Sequence, residues 1–340
     1  MSLQNKTIHI VTIFLTFFLV KCDKNPFGNY DNSLSDPNFH PGTPEAETNT
    51  TVNKTIYAFV TNQVTATVTK CTVNSNDGSL YDCQVIINTA SYGTTQAWGI
   101  TYFNGLLYIS STVSGSTAYT LCNLDDVTGD TTACQGKTYT IGGSIRAMAT
   151  TIFNSKAYIP NLNANNVIVC SISSVDASLT GCNTTGSNLS QPHGIFLSAN
   201  YVYIANIAGQ NITFCNLNSV TGTFSACSIT GRAYSSSVSA IEIYNNIAYI
   251  TISGINSIDL CSVNPSTGQV NNSCTTALNT GLSSPVAIKI KNGYAYITNY
   301  TAPLGTGLTK CNVSSSDGSF SNCVTTGSNF NGATWITFSN

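Results

Sequence analysis

The side chains of this 340-residue chain that could do chemistry are few, and the most regularly placed are cysteines. Twelve of the thirteen fall into pairs: Cys71 with Cys83, Cys122 with Cys134, Cys170 with Cys182, Cys215 with Cys227, Cys261 with Cys274 and Cys311 with Cys323, five spaced by 12 residues and one by 13. Between the partners lie "SNDG", "DVTG", "SVDA", "SVTG", "PSTG" and "SSDG", flanked by alternating residues, so each pair brackets a β-hairpin and sets its two sulfurs on facing strands. No CxxC or His cluster completes a tetrahedral zinc site. The expected chemistry is therefore six hairpin disulfides, with free buried thiols as the alternative. Each bridge closes a loop of about a dozen residues and contributes about 3 kcal/mol in the chain-entropy model.

Other candidates stand alone. His193, in "QPHGI", is the one histidine after residue 54, so any histidine-dependent mechanism runs through it. Glu242 and Lys289 occupy equivalent positions in two successive repeats, which suits a salt bridge, with a catalytic or metal-binding Glu242 as the sharper alternative. Asp77, Asp125, Asp126, Asp130, Asp176 and Asp317 lie in or beside the hairpin turns, where carboxylates cap turn backbone. No Ser-His-Asp set, phosphate loop or metal motif is present, so no cofactor and no metal are expected.

Charged residues make up 8% of the chain, against roughly 25% in an average soluble domain. Ser, Thr, Asn and Gly must carry its solubility. A net charge of −2 without a basic run leaves no electrostatic footprint for nucleic acid.

At the N-terminus, Ile8 to Val20 form an apolar run behind Lys6, too short to span a membrane and suited to a signal-peptide core. Residues 1–22 read as that signal, 23–53 as a polar tether without a fixed fold, and 54–340 as the folded region. "LVKC" resembles a lipobox: Leu19 and Val20 match, and Lys21 stands where a small residue is usual. The resemblance implies a lipid on Cys22, the only expected membrane contact, with ordinary cleavage nearby as the other outcome. The mature protein is expected to be exported: periplasmic, displayed on the cell surface, anchored as an outer-membrane lipoprotein, or secreted.

The elements that must position these groups repeat six times. Before each first cysteine comes an aromatic-led strand, "FVTN", "YISS", "YIPN", "YIAN", "YITI" and "YITN"; after each second cysteine comes another, as in "AWGITYFNG", "AMATTIFNS", "PHGIFLSAN" and "ATWITFSN". A period of 45 to 50 residues with four strands per unit predicts an all-β, six-bladed propeller. The folded region opens one strand short and ends one strand long, so the last strand is expected to complete the first blade and close the ring.

"YIAN", "YITN" and "YIPN", followed by a hairpin and the strand opened by Pro192, Gly194 and Ile195, resemble YVTN-type and NHL-type β-propellers. "QPHGIFLSANYVYIAN" is similar to blades of streptogramin lyases. The resemblance covers nearly all of Lys54 to Asn340, and such propellers include lactonases, lyases and binding proteins. It implies that the Ile195-type strand is innermost, the Tyr203-type strand next and the disulfide hairpin outermost, with ligands held at one mouth of the central channel.

On that arrangement Gln96, Arg146, Gln191, Ser237, Ser284 and Gly332 form one ring of the mouth. Trp98, Met148, His193, Ser239, Val286 and Thr334 form the next. A small-residue ring follows, Gly99, Ala149, Gly194, Ala240 and Ala287, interrupted by Trp335. Gln96, Trp98, Arg146 and His193 are the expected ligand-binding residues, with Tyr92, Tyr139, Tyr234 and Tyr300 on loops of the same end; tryptophans that fill the channel as core are the alternative. Lactonase-type propellers hold a divalent metal with several acids, whereas only Glu242 of the acids here lies on an inner strand. The reading is a monomeric, non-catalytic binding or scaffold protein for a glycan, peptide or protein. The alternatives are a lactonase- or lyase-like enzyme using His193 or Glu242, and a structural envelope or adhesive protein.

Overall fold

The computed structural model describes residues 54–111, 117–139, 145–303 and 307–339, so the expectations for residues 1–53, Cys22 among them, lie outside the described residues. Six four-stranded antiparallel sheets form the blades of a propeller. In chain order the innermost strands are Ala97–Phe103, Thr151–Phe153, Pro192–Leu197, Val238–Tyr244 and Pro285–Lys291, with Ala333–Phe338 completing the first blade beside Tyr57–Asn62. In each blade the aromatic-led strand comes next and the cysteine hairpin lies outside it.

The repeated tetrapeptide "YITN" has a physical reading, one residue at a time. The tyrosine hydroxyl donates to a hairpin-turn carbonyl of the following blade: Tyr108 to Ala177 at 2.9 Å, Tyr249 to Gly318 at 3.1 Å, Tyr296 to Gly78 at 2.8 Å, and Tyr203 to Gly268. The isoleucine packs in the inter-blade core. Ile204 joins a cluster shared by the third and fourth blades, and Ile250 one shared by the fourth and fifth. The third residue serves the channel and is treated below. The asparagine holds its own blade's entry loop. Asn62, Asn206 and Asn299 donate to Thr69, Thr213 and Thr309 while accepting from the backbone of Asn331, Ser190 and Ser283. Buried polar groups are satisfied this way without charge.

All twelve paired cysteines are oxidised, each to its own hairpin partner, and no free thiol of the alternative reading remains among them. The bridges run from Cys71 to Cys83, Cys122 to Cys134, Cys170 to Cys182, Cys215 to Cys227, Cys261 to Cys274 and Cys311 to Cys323. Their Cα atoms lie 4.0 to 4.3 Å apart across the two hairpin strands. The first cysteine of each pair is buried, whereas the second faces the rim: Cys134, Cys182, Cys227, Cys274 and Cys323 are half-buried, and only Cys83 is buried, beneath the turn at Gly327. The odd spacing has a structural cause. In the five 12-residue hairpins the residue before the second cysteine has φ of 47° to 58° (Asp82, Ala133, Gly181, Ala226, Asn322), the left-handed position of a bulge. In the 13-residue hairpin Cys261 and Cys274 stand directly opposite and the register shifts further along.

One innermost strand departs from the expectation. In the third blade only Thr151–Phe153 is a regular strand, and Ala147 makes an isolated bridge to Asn161. Pro160, on the neighbouring strand, has no N–H to give to the ladder. The segment bearing Arg146 is held instead by Met148 N–H to Pro160 O at 3.1 Å and Leu162 N–H to Arg146 O at 3.0 Å.

Blades approach closest around the axis, which explains the small-residue ring. A Cβ added to Gly99 would lie 2.7 Å from Ala149 Cα, and one added to Gly194 the same distance from Ala240 Cα.

Candidate functional site

The mouth is built where loops entering the innermost strands meet those leaving the second strands. Backbone bonds tie the two sets together: Gln63 N–H to Gly332 O, Ile207 N–H to Gln191 O, Ser253 N–H to Ser237 O and Tyr300 N–H to Ser284 O, at 2.9 to 3.1 Å.

Below these loops most innermost strands carry a register shift, between Ala97 and Gly99, Pro192 and Ile195, Val238 and Ala240, and Pro285 and Ile288. The third residue of "YITN" closes the gap. Thr61, Ser110, Thr251 and Thr298 each accept from their own blade's N–H, of Trp335, Gly99, Ala240 and Ala287. The same hydroxyls donate to the next blade's carbonyls, of Trp98, Met148, Val286 and Thr334. Pro160 and Ala205 stand at this position in the remaining two blades, which are the blades that present Arg146 and His193. His193 replaces the missing hydroxyl itself, with Nδ1 2.9 Å from Ser239 O.

The four residues expected at the mouth come together. Trp98 Nε1 donates to Gln96 Oε1 at 3.0 Å. Arg146 Cζ lies 5.3 Å from the Trp98 ring centroid, within cation–π range. His193 meets Trp98 edge-on with centroids 6.2 Å apart, and Trp335 at 6.1 Å. Tyr300 lies nearly parallel to Trp98, centroids 6.4 Å apart, and its hydroxyl donates to Gln63 Oε1 at 2.8 Å. Gln96, Trp98, Arg146 and Tyr300 are half-buried, while His193 and Trp335 are buried. Trp335 packs with Ala149, Ala240 and Ala287 as the floor of this mouth, the core role held open for it.

Tyr234 and Tyr92 are placed apart from the Trp98 contacts. Tyr234 is buried under Arg232, whose Cζ is 5.0 Å from its ring. Tyr92 closes a 3-10 turn, Thr89–Tyr92, and packs partly against the core. Tyr139 ends the strand Thr131–Tyr139 rather than lying on a loop, because its backbone still pairs with Thr117.

Burial dominates the titrating groups. It holds the His193 imidazole down at about 4, with the Arg146 charge acting the same way and the bond to Ser239 O opposing. A neutral imidazole that bonds a carbonyl through Nδ1 carries its proton there, which leaves the lone pair on Nε2. Glu242 is also buried. Burial raises its carboxyl above the ordinary range, and the Lys289 ammonium, 2.9 Å away on the next blade, offsets part of that. In the outer turns Asp77 accepts from Ser79, Asp176 from Ser178, and Asp317 from Ser314 and Ser319, and these bonds hold their carboxyls low. Among the described residues no three His, Cys, Asp or Glu side chains gather as a metal site.

Sequence reasoning passed over one buried charge pair. Asp259, fully buried, is ion-paired with Arg232 and accepts from Thr276 at 3.0 Å. The signal was a double substitution in the fifth repeat: Ile252 replaces the tetrapeptide's asparagine and Asp259 replaces its threonine partner, so an arginine from the entry loop fills the gap.

No protein-family model matches the chain, and no curated protein matches it by sequence. Solved structures do match in shape. A chain of the nidogen/laminin complex aligns at 9% identity and TM-score 0.60, over 84% of this chain and 98% of that one. The periplasmic gluconolactonase PpgL of Pseudomonas aeruginosa aligns at 10% identity and TM-score 0.59, over 84% and 99%. A protein of Bacteroides fragilis described as a candidate 6-phosphogluconolactonase aligns at 9% identity and TM-score 0.59, over 86% and 100%. At such identities the likeness is one of fold, and this chain shares with these proteins the architecture of a β-propeller, here with six blades and one disulfide in each.

Proposed function

We propose that this protein is an exported, non-catalytic binding or scaffold propeller that takes a glycan, peptide or protein ligand at the channel mouth. The observation that carries the reading is the contact set of Trp98, which meets Arg146, His193 and Tyr300 from three other blades while remaining half-buried. A rigid aromatic face, a fixed cation and side-chain amides are what a polar ligand needs to be oriented. A protein-binding neighbour of the same fold, in the nidogen/laminin complex, is consistent with this use. Six disulfides suit an oxidising compartment, in keeping with export by residues 1–22, a tether at 23–53 and either lipidation of Cys22 or cleavage nearby.

The lactonase- or lyase-like reading draws support from the gluconolactonase of the same fold. Its two candidate residues are poorly poised. A general base works best with a pKa near the working pH, and His193 sits at about 4. Glu242 is engaged by Lys289. A glycan and peptide screen run beside a lactone-hydrolysis assay tests the choice. Binding lost in Trp98→Ala, with no turnover, supports the binding reading; turnover lost in His193→Gln or Glu242→Gln overturns it. The third alternative, a structural envelope or adhesive protein, predicts no mouth-dependent binding in the same screen.

A further inference from the structure

We infer that the ligand of the mouth is an acidic glycan, with Arg146 pairing to the carboxylate of a uronic-acid residue whose ring lies on the Trp98 face. The inference rests on the binding reading above and assigns its chemical class.

The charge map of the fold carries the argument. Along the described loops of the mouth end, from Gln63–Ala66 to Thr326–Gly332, the only charged residues are Arg146 and Arg232. Arg232 is neutralised by Asp259. The acids of the hairpin turns, Asp77, Asp125, Asp126, Asp130, Asp176 and Asp317, lie at the other end, because the strand leaving the mouth must cross the blade before reaching that turn. Among the described residues Arg146 is thus the one charge of the mouth end without an ion-pair partner, in a protein whose net charge is −2.

Arg146 is also held ready. Among the described residues no carboxylate lies within 4 Å of its guanidinium, and its Cζ lies over the Trp98 ring. A guanidinium held over an indole by a cation–π contact keeps its planar fork of N–H donors, and a carboxylate can accept two of them at once. The mouth around it is uncharged but rich in amides and hydroxyls: Gln63, Gln96, Gln191, Ser237 and Ser284. Such groups pair with sugar hydroxyls, and Trp98 and Tyr300 offer aromatic faces to the C–H side of a pyranose.

An acidic peptide fits less well. Extended peptides gain affinity by pairing their main chain with a free strand edge. Here the unladdered N–H groups at the innermost strands, of Gly99, Ala240, Ala287 and Trp335, are already taken by Ser110, Thr251, Thr298 and Thr61.

The test is calorimetric titration of the full chain with tetramers of galacturonate, glucuronate and mannuronate, with their neutral hexose counterparts, and with hexaglutamate. At least one uronide should bind tenfold or more tightly than its neutral counterpart. Arg146→Ala should bring the two to the same level with an unchanged melting temperature, and Arg146→Lys should keep part of the difference. Raising sodium chloride from about 50 to 200 mM should weaken the uronide and spare the neutral sugar. A neutral sugar that binds as tightly as every uronide, a preference that survives Arg146→Ala, or hexaglutamate bound in place of uronides would overturn the inference. If the preferred ligand is then lost in Trp98→Ala, mouth binding stands and only the acidic class fails. If no probe of any arm responds to Trp98→Ala, the binding reading falls with it.

Discussion

The hydroxyl of Tyr296 donates to the carbonyl of Gly78 across 2.8 Å, joining the sixth blade to the first although 218 residues separate them in the chain. The same latch from tyrosine to the next blade's turn is made by Tyr108, Tyr203 and Tyr249, whereas the first blade has Phe59 there and the buried Tyr158 hydroxyl finds no partner among the described residues. At this joint it works beside the last strand, Ala333–Phe338, which pairs with Tyr57–Asn62. Ring closure is therefore both a sheet and a set of side-chain bonds.

Closure makes the C-terminal strand indispensable. Deleting residues 333–340 should leave the first blade without its innermost strand and expose a sheet edge, giving aggregation or loss of the cooperative melt. Tyr296→Phe, which removes only the latch and leaves the buried Gly78 carbonyl unpaired, should cost about 1–3 kcal/mol, read as a melting temperature lower by a few degrees. A truncated chain that melts like the intact one would show that the ring closes otherwise.

Each hairpin bridge should act independently. Peptide mapping without reductant should recover each cysteine joined to its own hairpin partner, Cys71 with Cys83 and Cys311 with Cys323 among them, and replacing one pair by serine should cost about 3 kcal/mol. Reduction of all six should be far more damaging than any single replacement. Cross-blade linkages in the map would contradict the pairing.

Glu242 and Lys289 give a stability signature that depends on pH. The folded carboxyl titrates above its ordinary value of 4.5, so folding favours the protonated form; the stability it allows is full below about pH 4.5 and falls as pH rises through the folded value. Lys289→Met removes the opposing charge and should cost on the order of 3 kcal/mol at pH 7 and much less at pH 4. Glu242→Gln should flatten this part of the profile. Equal losses from Lys289→Met at both pH values would mean that the pair does not govern the titration.

His193 works in the opposite sense. Its folded value of about 4 lies below the ordinary 6.5, so the unfolded chain takes up a proton first as pH falls. Stability present above pH 6.5 should drain away toward pH 4, by roughly 3 kcal/mol at most. Melting curves between these limits should be steeper for the wild type than for His193→Gln. Parallel curves would contradict a buried, neutral histidine.

The regular parts of the molecule were legible because they repeat. Cysteine spacing and turn residues predict the hairpins, the period predicts the blades, and the odd strand at each end predicts how the ring closes. Alignment of the innermost strands also placed Gln96 with Arg146 and Trp98 with His193 in two adjacent rings, since residues at one repeat position share a height along the axis. What stayed hidden were contacts between repeats. Neither the tyrosine latches nor the hydroxyl relay of Thr61, Ser110, Thr251 and Thr298 leaves a trace in any single repeat, because each joins one blade to the next. Arg232 and Asp259 lie 27 residues apart in loop and strand, and only the paired change at Ile252 and Asp259 pointed to them. The irregular third blade follows from Pro160, whose effect shows only once its partner strand is known.

Both tryptophans of the chain lie in the candidate site, Trp98 half-buried at the mouth and Trp335 buried beneath it, so intrinsic tryptophan emission reports directly on whether ligands bind there. Any ligand found by screening should shift or quench that emission along the same saturation curve as calorimetry, and Trp98→Phe should remove most of the change while Trp335 still fluoresces. Calorimetric binding with tryptophan emission unchanged throughout would place the ligand elsewhere and contradict the account.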